Sequence, residues 1–79
     1  MNDFESVLMD RLGRTQNPDA KKLKRWLDKN PKGPLRRKVL KQMEAQITAM
    51  NGTSTGAIDW EALFAKIGPF IKLLLALFA

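Results

Sequence analysis

A chain of 79 residues with a net charge of +6 and neither Cys nor His is narrowly bounded. It forms one domain at most, and a domain this small buries only a modest fraction of its surface. Disulfides and thiolate metal sites are excluded, and so are the commonest transition-metal ligand and the commonest general base near neutral pH.

Residues 3–13, DFESVLMDRLG, place Phe4, Val7, Leu8 and Leu12 at helical spacing. Asn2 or Asp3 is the expected N-cap and Gly13 the expected stop. The opening MNDFESVLMD is acidic where a secretory leader would be basic, so no signal peptide is read. A cytoplasmic location, or one peripheral to a membrane, is expected.

The second helix, 18–30, follows Asn17 as N-cap, with Pro18 at the first helical position and Asp19 on the positive end of the dipole. Ala20, Leu23, Trp26 and Leu27 share its apolar face, where Trp26 reads as core rather than as a base-stacking ring. Pro31 ends the helix near Asn30, because the residue before a proline avoids the α region. NPKGPL is then a tight connector, with Pro34 opening the third helix, 34–51. That helix carries a stripe of Leu35, Val39, Met43, Ile47 and Met50, with Leu40 beside it. Asn51 and Gly52 close it, and residues 52–58 form a polar loop.

Asp59 caps the last helix, 60–79, and Glu61 lies in its first turn. The run WEALFAKIGPFIKLLLALFA is apolar enough to raise the question of a membrane span. Its order argues otherwise: Trp60, Ile67 and Leu74 are seven apart, as are Leu63, Phe70 and Leu77, and Phe64, Ile71 and Phe78. These nine side chains form one wedge, with Leu75 at its edge and Leu73 outside it. Ala62, Ala65, Lys66, Pro69, Lys72, Ala76 and Ala79 take the opposite side. A span indifferent to rotation has no reason for this segregation. The wedge is expected to be the core of the molecule or an oligomer seam, and self-association through the alanine-rich side is also expected. The fold class expected is an all-α bundle of three short amphipathic helices packed on a longer, very apolar C-terminal helix.

The charge is as segregated as the hydropathy. Between residues 21 and 41 stand ten Lys or Arg against the lone acid Asp28. Lys21, Lys22, Lys24, Arg25 and Lys29 lie on the second helix and Lys32 in the connector. Arg36, Arg37, Lys38 and Lys41 open the third. Such a block is the footprint of a surface for polyanions, with nucleic-acid phosphates preferred and no Asn or Gln obviously placed at the front of the third helix to read adenine. The competing reading is a membrane-surface or membrane-disrupting protein whose C-terminal amphipathic helix inserts beside anionic lipid headgroups, since a polybasic patch with one apolar helix is a two-signal arrangement for lipid. A third reading is a packing subunit of a larger particle.

No catalytic constellation accompanies this surface. Asp3, Glu5, Asp10, Asp59 and Glu61 sit where caps and first-turn charges belong, and the hydroxyls have no histidine to activate them. GTSTG lacks the lysine of a phosphate-binding loop. Catalysis, a metal, a cofactor and a small-molecule substrate are therefore not expected.

Overall fold

The computed structural model describes the backbone of residues 3–51 and 58–78 and the side chains of residues 4–50 and 58–78. Four helices run through them: α1 (Asp3–Arg14), α2 (Pro18–Lys29), α3 (Pro34–Asn51) and α4 (Trp60–Phe78). Among the described residues there is no strand, so the all-α class holds. The expected capping roles of Asn2, Asp3 and Gly52, most of the 52–58 loop and Ala79 lie outside the described residues.

Each boundary has a local cause. Gly13 does not stop α1, which continues through Arg14. The turn after it is ordered by Thr15, a buried side chain whose Oγ1 accepts from the Asn17 amide at 3.0 Å. Asn17 caps α2 as its position requires, Oδ1 accepting from the Ala20 amide at 2.9 Å. Gly33 has φ 115°, a left-handed conformation that glycine adopts without strain, and its carbonyl accepts from the Arg37 amide in the first turn of α3. Asp59 Oδ1 accepts from the Ala62 amide at the start of α4, and Pro69 lies inside that helix on its exposed side.

The core draws on every helix. Leu8 and Leu12 of α1, Ala20, Leu23 and Leu27 of α2, and Val39, Leu40, Met43 and Ile47 of α3 are buried. From α4 come Trp60, Leu63, Phe64, Ile67, Ile71 and Leu74, with the Trp60 and Phe64 rings 5.8 Å apart. The closest packing is α2 against α4, with α1 laid on α2 and α3 on α4. The centre is therefore the α2–α4 pair rather than α4 alone. Gly68 shows why: a Cβ there would stand 2.7 Å from Asp19 Oδ2, so the bare glycine lets the first turn of α2 come close. The Cα radius of gyration is 11.5 Å, close to the ~11.6 Å of a well-packed chain this long.

Several apolar residues lie off the core. Val7 is exposed, because the inward arc of α1 is centred on Leu8, about 100° away, with Phe4 and Met9 half-buried at its margins. Leu35 and Met50 are exposed, so burial is confined to the middle of the α3 stripe. On α4, Phe70 and Phe78 are half-buried, and Leu77 is 70% exposed. Leu77 is therefore not part of the core. It sits roughly 100° round the helix from Trp60, at the margin of the wedge, and it lies beyond Leu74, the last buried residue.

Candidate polyanion-binding surface

The cations of the 21–41 block sort into three groups by what their helices bury. Because Ala20, Leu23 and Leu27 face inward, Lys21, Arg25 and Lys29 follow one another at i, i+4 and i+8 on the outer side of α2, with Lys22 beside them. Because Val39, Met43 and Ile47 face inward on α3, Arg37, Lys38 and Lys41 stand outward. Lys32 is exposed in the connector. These eight side chains form the solvent face of the α2–connector–α3 corner.

Lys24 is half-buried and engaged locally: Nζ donates to Asp28 Oδ2 at 2.7 Å, an i, i+4 pair on a partly exposed helix face. It contributes charge to the field of the corner but is already paired.

Arg36 has a different job from the one its place in the block suggests. Its side chain is 13% exposed. Nη1 donates to the Leu27 carbonyl at 2.8 Å and the Asn30 carbonyl at 3.0 Å, while Nη2 reaches Glu5 Oε2 at 3.4 Å. The last carbonyls of a helix have no partner within it and carry the negative end of its dipole. Asn30 satisfies part of this end, its Nδ2 donating to the Trp26 carbonyl and its amide to the Trp26 and Leu27 carbonyls. The Arg36 guanidinium adds a second donor to the Leu27 carbonyl, binds the Asn30 carbonyl just beyond the helix, and brings a compensating charge. It thereby ties the first turn of α3 to the end of α2 and to α1, and is removed from the set of contact residues.

The outward charge of the corner is almost entirely positive. α3 has no acid in its first turn, so the amide end of that helix adds to the field of Arg37 and Lys38. Asp28, the lone acid of the segment, is taken up by Lys24. Among the described residues no group of three potential metal ligands comes together, and no buried side-chain polar atom lacks a hydrogen bond. Sequence reasoning missed Thr15, Gly68 and the inward turn of Arg36. For Arg36 one signal was available, since it lies one turn before the buried Leu40 and between Val39 and Leu40 on the wheel.

No known protein family matches this chain, and no curated protein or solved structure matches it either. What the corner can bind follows from its own chemistry.

Proposed function

We propose that this is a non-catalytic binding protein that lays the α2–α3 corner on a polyanion, with nucleic-acid phosphates the preferred target. The observation that carries the reading is the division of labour among the ten cations: one braces the corner from within, and eight stand outward on it without an unpaired acid among them. Arg37 suits bidentate contact with phosphate oxygens, and the lysines supply long-range attraction and counterion release. Recognition is mainly of the backbone, because eight outward cations spread over two helices and a connector match the even charge of a phosphate chain and not one set of base edges.

The test is a salt series on duplex DNA, single-stranded DNA and RNA oligonucleotides, read by fluorescence anisotropy. Four to six phosphate contacts give a slope of log K against log salt of about −4 to −5 on duplex. Charge reversal at Arg37, Lys38 and Lys41 lowers affinity at least about tenfold with helicity unchanged, in line with the loss of three phosphate contacts. Affinity that ignores salt, or that survives this reversal, removes the corner as the binding surface.

A further inference from the structure

A second surface lies on α4. Leu73 is 58% and Leu77 70% exposed, and Phe70, three residues before Leu73, is half-buried beside them. At spacings of three and four these residues fall on one stripe of the helix. The rest of the exposed side of α4 from residue 62 onward consists of Ala62, Ala65, Pro69 and Ala76 with two charges, Lys66 and Lys72, and no acid. Lys66 stands on the Phe70–Leu73–Leu77 stripe, one turn before Phe70, and Lys72 stands on its far flank. Lys72 is 67% exposed and makes one long ion pair, to Asp19 Oδ1 at 4.0 Å, which leaves its ammonium open to solvent.

We infer that the C-terminal half of α4 docks on an anionic bilayer, with Leu73 and Leu77 entering the headgroup–acyl boundary and Lys66 and Lys72 held at headgroup level. Charge and shape choose this occupant. A second copy would meet the face with the same two lysines and a net charge of +6, and two exposed leucines fall well short of the ~800 Å² per partner that a stable dimer covers. A nucleic acid answers the lysines but leaves the leucines in water. Anionic lipid satisfies both, since long lysine side chains reach back to the headgroups while apolar side chains descend. Leu77 is about 16 Å along the helix axis from Lys66, which suits an oblique approach with the end of the helix lowest. The helix rests on the bilayer rather than crossing it: no helix among the described residues is long and apolar enough to span a membrane.

The chain has no Cys, so Ala76→Cys carries a single environment-sensitive dye. Vesicles of phosphatidylcholine with 30 mol% phosphatidylglycerol (about a third, as an anionic test surface) are compared with phosphatidylcholine alone. The dye is expected to shift to the blue with the anionic vesicles, and co-sedimentation to exceed that with neutral ones by about tenfold or more. Leu73→Ser with Leu77→Ser abolishes the shift and lowers co-sedimentation about tenfold, helicity being unchanged because both positions are solvent-exposed. Charge reversal at Arg37, Lys38 and Lys41, which disables the corner, leaves the dye shift in place. The inference is overturned if the leucine variant binds like the parent, or if only the corner variant loses binding. It is equally overturned if the two leucines prove to drive a vesicle-independent dimer in sedimentation.

Discussion

Gly68 stands in the middle of α4, where glycine costs a helix about 1 kcal/mol relative to alanine, yet a Cβ there would meet Asp19 Oδ2 at 2.7 Å. Two opposite effects therefore act on Gly68→Ala: a gain in helix propensity, and the displacement of a carboxylate that is only 16% exposed and has two torsions with which to move. The clash belongs to Asp19 alone, since the next nearest atoms to the added Cβ are also its own. A double-mutant cycle separates the two effects. Gly68→Ala is expected to be better tolerated in an Asp19→Ala background than in the parent by about 1 kcal/mol, read from urea unfolding. Additivity within the error of the cycle would show that α2 and α4 stand further apart than this. The sequence marked Asp19 correctly as a first-turn acid on the helix dipole but said nothing of Gly68. A buried glycine is recognised by what approaches it, and that partner is 49 positions away in the chain.

At the scale of elements, the legible features were those decided by neighbours in sequence. Asn17, Pro18, Pro34 and Asp59 set helix starts through contacts within four residues, and the structure has α2, α3 and α4 beginning where those residues place them. The α4 wedge was legible through its seven-residue spacing, and six of its nine members are buried. What failed were the margins. Leu35 and Met50 fit their stripe by period, but period gives direction and not the reach of the neighbouring helix that must cover the residue. Val7 and Leu77 stand at the edges of their arcs, where a period of seven or four tolerates them and the core does not. Arg36 failed for a related reason. In a run of three cations, wheel position sets Arg36 apart from the two that face water, but the carbonyls at the end of α2 that it binds are supplied only by tertiary structure. Arg36→Gln is thus expected to lower stability by about 1.5–3 kcal/mol, the range for hydrogen bonds to a charged group. Arg37→Gln with Lys38→Gln is expected to leave stability within about 0.5 kcal/mol of the parent. Thermal unfolding followed by circular dichroism distinguishes them, and equal losses in the two variants would return Arg36 to the solvent face.

At the scale of the whole molecule, one core is shared by four helices, and none of them buries its apolar face without the others. α1 rests on α2, α2 on α4, and α3 on α4, and the buried residues of all four belong to one cluster. Helices of 12 residues such as α1 and α2 are marginal in isolation. Nothing in this arrangement supplies a part able to persist alone, and unfolding should be all-or-none. The two tryptophans provide the check, since Trp26 is half-buried on α2 and Trp60 is buried at the start of α4. In Trp26→Phe the remaining indole reports on α4, and in Trp60→Phe it reports on α2. Within each variant, the fluorescence transition in urea is expected to coincide with that of helical circular dichroism. If α4 were a self-sufficient helix carrying a loosely attached α1–α2 layer, Trp26 would lose its environment before most of the helical signal was gone. Phe64→Ala sharpens the comparison, because Phe64 is fully buried in α4 and its truncation costs about 3–5 kcal/mol. A shared core requires that loss to lower the midpoint reported by Trp26 as far as the one reported by the helices together.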